Sequence, residues 1–359
     1  VRIAMTVAEA GKREGVLREV VREEGLETDA PVVDLVDKRG EINSDLTVGV
    51  DVTLASALLS NEGVCSPGVK LHGEGFIVTK QIAEQIGLGI IPELDRHIRH
   101  FRNGRDIMSR ARGVMVLDFD GVDLAELRNR FPAAYQYLLV NVKPERDSNN
   151  EEYRRNNWWL FGRRNTLMRN AVHAIDRFIA TVTTARHRVF QFLDKSILPE
   201  DALISIGSDD AYILGVLSSS QHVIWATRAG SWLGVGNDSR YRKSRCFDPF
   251  PFPATDDLRK QRIRGIAEEL DAHRKRVLAE HPHLTLTGLY NVLERLRAGV
   301  LPADLEPSER RIFDDGLVLI LKELHDRLDV AVADAYGWPA DLSDEEILAR
   351  LVALNKERA

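Results

Sequence analysis

Proline stands at every second position in one short segment, at Pro249, Pro251 and Pro253, with Phe250 and Phe252 between them. Such a run cannot be a helix interior or a central strand, because each proline lacks the donor N–H and fixes φ. It follows directly on SRYRKSRC, where Arg240, Arg242, Lys243 and Arg245 fall within six residues. Cations alternating around Tyr241 suit a strand or loop that lies along phosphates. A basic edge closed by a rigid Phe-Pro plug has the makeup of a nucleic-acid recognition module.

The chain of 359 residues is long enough for two or three domains with a well-buried core. It holds no apolar run long enough to span a bilayer, and the opening VRIAMTV reads as a strand rather than a signal peptide. The two cysteines, Cys65 and Cys246, are too few for a zinc cluster or a disulfide framework, so the expected setting is a reducing cytoplasm. The first residue is not methionine, and both termini read as cut through a pattern, so a fragment or a trimmed form is expected. The net charge of −6 disfavours nucleic acid only until it is divided. Residues 1–90 sum to −6, residues 91–250 to +5 and residues 251–359 to −5, leaving a basic middle between acidic flanks.

β-Branched segments RIAMTV, GVLREVV and PVVDLV predict strands in residues 1–45, with GKREG as a hairpin turn between the first two. DVTLASALL predicts a helix capped by Asp51, and TKQIAEQIG a helix capped by Thr79 and ended by Gly87. VMVLDF and ALISIG predict buried strands, and FIATVTTARHRVFQFL continues the β pattern. AYILGVLSSSQHVIWATR reads as a helix running into a short strand, and PERDSNNEEYRRNN as a loop. From Asp256 onward the spacing is helical, ending in a helix with Ser343 and Glu346 as a capping box. The fold class is therefore α+β: early strands, a mixed α/β middle and an all-helical C-terminal region.

Candidate chemistry is sparse. VMVLDFDGVD places Asp118 and Asp120 in the string that haloacid-dehalogenase-type phosphatases use for a nucleophile and an acid/base, but the accompanying lysine and acidic pair are missing. His281 and His283 have no neighbouring cysteine or acidic partner in the sequence to complete a metal site. No P-loop, nucleophile elbow or Rossmann fingerprint is present. In RHIRHFRNGRDIMSRARG, Asn103-Gly104 reads as a tight turn of positive φ, flanked by Arg102 and Arg105. RRNNWWLFGRRN sets Arg163 and Arg164 beside Trp158 and Trp159, a pair expected in the core.

The strings GEINSDLTVGVDV, NEGVCSPGVKLHGEGFIVT, HFRNGRDI, NNWWLFGRR, SRYRKSRCFDPFPFP and LTGLYNVLERLRAG, in this order, resemble the C-terminal half of MmeI-like DNA adenine methyltransferases. The resemblance implies that residues 1–45 are the terminal strands of a methyltransferase domain. Residues 46–254 would then be a target recognition domain and residues 255–359 a helical region that helps hold DNA. It also implies a parent enzyme that takes its methyl group from S-adenosylmethionine and flips an adenine out of duplex DNA. Neither an F-x-G-x-G cofactor loop nor an N-P-P-Y/F motif stands in these residues, so this chain is expected to bind no cofactor and to be inactive alone. Its expected partners are double-stranded DNA and the remainder of the methyltransferase polypeptide. The expected DNA contacts are Arg240, Arg242, Lys243 and Arg245, with Asn237 and Asp238 reaching bases from the loop GVGND. Arg102, Asn103 and Arg105 form a second region, and Arg163 and Arg164 a third. The alternatives are a partner-binding scaffold, an RNA-binding module and the phosphatase above.

Overall fold

The computed structural model describes residues 6–7, 11, 13–25, 27–28, 30–43, 46–233 and 238–359. The fold is α+β, built from four small sheets and a helical C-terminal third. Strands Gly15–Glu24 and Val32–Gly40 form an antiparallel hairpin with a bulge between Val20 and Arg22. Its valines stay exposed: Val20, Val21, Val32 and Val36 keep 46%, 60%, 51% and 46% of their surface. The turn joining these strands lies after Glu24, and the RIAMTV strand, with most of the GKREG turn expected to follow it, lies largely outside the described residues.

Two sheets carry most of the β structure. One orders Ile197–Pro199, Ile98–Arg102, Met115–Leu117 and Ile77–Val78, with only the first pair parallel. Helices Lys80–Ile86, Leu124–Arg130 and Pro132–Asn141 share its core, and Trp158 and Trp159 are buried there as expected. The other sheet is antiparallel, ordered Cys65–Pro67, Leu203–Ile206, Arg177–Val182 and Phe190–Asp194. The strand Arg177–Val182 is buried on both faces, which is why its sequence runs apolar without alternation. Phe178, Ala180 and Val182 face a core shared with the C-terminal helices, whereas Ile179 faces Cys65, Leu214 and Phe247.

The C-terminal helices start where the caps predict. Asp256 accepts from the Arg259 N–H at 2.9 Å to open Asp257–Glu280, and Ser343 and Glu346 form the capping box of Asp344–Arg358. Thr79 and Gly87 bound Lys80–Ile86 as expected. Three local expectations are overturned. DVTLASALL gives only single 3-10 turns at Val52–Leu54 and Leu59–Asn61, although Asp51 does cap the first. HVIWATR is helical, inside Ser220–Ala229, because Trp225 and Ala226 are both buried there, Trp225 against Phe250 of the plug and Ala226 in the core that contains Ile179 and Phe190. PERDSNNEEYRRNN is not a plain loop but holds the short helices Lys143–Asp147 and Glu152–Asn156.

The proline run is irregular, as its chemistry requires, and its carbonyls are met by side chains drawn from across the fold. Asn61 Nδ2 donates to Phe247 O, Asp248 O and Phe250 O at 3.1, 3.1 and 2.8 Å. Asn355 Nδ2 donates to Pro249 O at 2.6 Å, Tyr336 Oη to Pro251 O at 2.9 Å, and Tyr212 Oη to Pro253 O at 2.7 Å. Arg358 donates to Phe252 O. Prolines supply no donors of their own, so a buried run of this kind depends on such partners. Phe250 fills the space beside His222 and Trp225, with ring centroids 4.3 and 6.1 Å away.

Asp329 links the helical region to the middle of the chain, accepting from the Ser220 N–H at 2.7 Å. Burial raises its carboxyl to about 6, against the pull of that N–H and of Arg297. A carboxyl with a raised folded pKa favours folding fully only below its unfolded value of about 4. Its contribution is therefore lost as pH rises from about 4 to about 6. The Asp329→Asn variant should lose less stability than the parent between those pH values, measured by urea unfolding.

Candidate nucleic-acid interface

The first two predicted contact regions meet in one place. Asn103 and Arg105 line a cleft of about 680 Å3 together with Asp238 and Arg240, and Arg186, Glu200, Asp201 and Thr287 are among its other polar lining residues. The Asn103 side of the wall is a cap, not the expected positive-φ turn. Asn103 has φ −115° and opens the helix Gly104–Met108. Its Oδ1 accepts from the Asp106 N–H at 3.1 Å, and Asp106 Oδ2 accepts from the Asn103 N–H at 2.9 Å. Burial works to raise the Asp106 carboxyl, but Arg112 and two backbone N–H groups outweigh it and hold the pKa below the usual range. Gly104 is needed for space: a Cβ there would stand 2.8 Å from Val182 Cγ1. The cap thus fixes the short helix against the sheet and leaves Arg105 exposed at the rim.

The opposite wall is the strand Asp238–Arg240, paired with Ser231–Leu233 on one side and with Thr184–Ala185 on the other. Strand alternation sends Asp238 and Arg240 to the cleft while Ser239 and Tyr241 turn inward. Tyr241 Oη and His222 Nε2 lie 3.0 Å apart in the core. Arg188, which the sequence reading passed over, fastens this strand from behind. Its guanidinium donates to Ser239 O and Oγ at 2.9 and 3.1 Å, to Thr181 Oγ1 at 3.2 Å and to Val182 O. Burial lowers its pKa to about 10, and its guanidinium lies 5.2 Å from the Tyr241 ring centroid. Nothing local distinguishes it from the exposed Arg186 two residues earlier in TTARHRVF, so the sequence alone does not single it out.

The remaining predicted contacts disperse. Arg242 is exposed and donates to Ser231 Oγ at 3.2 Å. Lys243 is held by Asp248 at 2.6 Å within a π-helical turn, Lys243–Phe247. Arg245 turns to a second cleft, of about 1590 Å3, between the hairpin and the helices Ser220–Ala229 and Asp344–Arg358. Arg102 is half-buried behind the first wall, with Nη1 enclosed and unpartnered among the described residues. Arg163 is exposed and its backbone bridges Lys70, while Arg164 is ion-paired to Asp120. Asn237 lies outside the described residues.

Charge pairing separates these cations. Arg105, Arg240 and Arg245 form no ion pair with a described residue, whereas Arg164 and Lys243 are neutralised within the chain. Arg240 also keeps Nε enclosed without a partner among the described residues. Guanidinium groups held in place without a counter-ion are suited to bind anions or the acceptor edges of bases. The phosphatase string has no such freedom. Both oxygens of Asp118 accept from Arg169, at 2.8 and 2.9 Å, so neither is free to attack phosphorus. His281 and His283 gain an acidic neighbour only through the fold, Asp315 at 3.9 and 3.1 Å, and the described residues hold no group of three or more such side chains placed to bind a metal ion.

No family model matches the chain. It aligns over 97% of its length with the Type IIL restriction-modification enzyme MmeI, solved in complex with DNA, at a TM-score of 0.68 and 19% identity. The chain has the MmeI fold. The resemblance carried by the sequence motifs thus holds for nearly the whole architecture. The chain is also 32% identical over 149 residues, 41% of its length, to DNA methyltransferase A of Bacillus subtilis strain 168. It spans 42% of the MmeI chain and 14% of the Bacillus protein, less than half of either. No described helix is long and apolar enough to cross a membrane.

Proposed function

We propose that this chain is the DNA recognition portion of a DNA methyltransferase of restriction-modification type. The observation that carries the reading is the cleft in which two sequence-distant basic segments converge, with Arg105 and Arg240 free of ion pairs to described residues. The likeness to MmeI, a protein solved with DNA bound, supports the same assignment. Residues 46–254 act as the target recognition domain in this reading, and residues 255–359 brace it. S-adenosylmethionine and the flipped adenine belong to the catalytic half, and this chain supplies register and sequence choice.

The exposed hairpin Gly15–Glu24 and Val32–Gly40 fits that division. Two-stranded hairpins are marginal in water on their own, and this one leaves valines exposed. We assign its cover to the remainder of the methyltransferase polypeptide.

The test is duplex binding by fluorescence anisotropy across a salt series, with sequencing of the DNA retained from a randomised pool. Affinity should fall steeply with salt, and a short motif should be enriched. Insensitivity to nucleic acid at low salt would favour a scaffold, and preference for structured RNA would favour the RNA-binding alternative. Arg105 stands exposed at the rim, where phosphates pass. Arg105→Ala should therefore weaken binding to all duplexes alike and reduce the salt slope by about one.

A further inference from the structure

The cleft wall holds a carboxylate with no partner among the described residues. Glu200 makes no side-chain hydrogen bond or ion pair with a described residue. The two cations whose fields reach it are engaged elsewhere, Lys70 with Asp201 at 3.0 Å and Arg112 with Asp106 at 2.8 Å. Its backbone is fastened on three sides. The Glu200 N–H donates to Arg102 O at 2.9 Å, its carbonyl accepts from the Leu203 N–H at 2.8 Å, and it bridges Val69. Gly68 permits that approach, since a Cβ there would stand 2.3 Å from Glu200 O. The side chain is half-buried, deeper than Arg105 and Arg186, which are exposed. Burial and the neighbouring Asp201 push the carboxyl above its ordinary range.

This position sorts what can face it. Phosphates offer only acceptor oxygens and would be repelled. The donors that duplex DNA presents in its major groove are the exocyclic amines of cytosine N4 and adenine N6. We infer that Glu200 is a specificity-determining residue that accepts a hydrogen bond from such an amine at one position of the recognised site. The inference rests on the duplex-DNA reading above and adds a residue to it.

The experiment runs the randomised-pool selection on the parent chain, Glu200→Gln and Glu200→Asp in parallel. It then measures affinity for the parent's motif and for its single-base variants at fixed salt. The parent should enrich a motif with cytosine or adenine at the position concerned, and the base retained identifies which amine is read. Glu200→Gln should change or relax that position alone, with preference there falling about tenfold or more. Glu200→Asp, which keeps the charge but shortens the reach, should keep the base with weaker preference. An unchanged motif in both variants, with uniformly tighter binding, would overturn the inference and leave Glu200 as a mere repeller of phosphates. A parent that binds duplex DNA but enriches no motif would instead overturn base reading by this chain as a whole, Glu200 included.

Discussion

Asn355→Leu should destabilise the protein by about 3 kcal/mol, although the two side chains have the same branching and the same number of heavy atoms. Asn355 is 1% exposed and makes three hydrogen bonds. Its Oδ1 accepts from the Ser56 N–H at 2.9 Å, and its Nδ2 donates to Ser56 O at 2.8 Å and to Pro249 O at 2.6 Å. Leucine fills the space but strands one donor and two acceptors. Each buried group left unpaired costs about 1–3 kcal/mol, and part of that is recovered where Ser56 is only partly covered. Chemical unfolding of this variant beside Lys356→Leu, at an exposed neighbour, measures the difference. Equal stability of the two variants would mean that the proline run finds its partners in water instead.

Arg240→Ala should relax sequence preference at one base pair by about 1–3 kcal/mol while leaving binding to unrelated duplex nearly intact. The prediction comes from how the residue is held. The strand behind it is fixed by Arg188, and its pairing to Thr184 sets the direction of the side chain. Arg240 is half-buried with Nε enclosed, so little rotamer freedom remains to be lost on binding. Competition between the selected duplex and its single-base variants reads the effect. A uniform loss of affinity with a flatter salt dependence would make Arg240 a phosphate contact. Lys243→Ala and Arg164→Ala should scarcely change DNA affinity, since Asp248 and Asp120 already hold those cations.

Caps and periodicity made much of the helical region legible before any coordinates. Thr79, Asp256 and Ser343 mark helix starts by chemistry that acts within one turn. The same local reasoning allowed a strand or loop around Tyr241; the strand Asp238–Arg240 ends just before that buried ring, and the later cations Lys243 and Arg245 lie in a π-helical turn. It failed at HVIWATR, because β-branched and aromatic residues favour strand locally while the burial of Trp225 and Ala226 is decided by distant partners. It read the Asn103-Gly104 pair as a turn because both residues tolerate positive φ, whereas the reciprocal bond with Asp106 makes Asn103 a cap. For the site, sequence found the basic segments but not which cations are free. Asp248 is near Lys243 in sequence, but Asp120 is far from Arg164, and no local rule couples that pair. Glu200 and Arg188 were invisible for the same reason: each acquires its meaning from strands that meet it only in the folded chain.

The side chains that meet the proline run also set a timetable. Ser56 and Asn355 are separated by 299 positions, and Pro249 and Asn355 by 106. A ribosome adds about 5–20 residues per second, so Ser56 waits on the order of half a minute for its partner to be made. Throughout that interval the early sheets can form, but the segment from Phe247 to Pro253 lacks Tyr336, Asn355 and Arg358. The plug beside the strand that presents Arg240 is therefore completed only after the helix Asp344–Arg358 has been made, long after the strands it packs against.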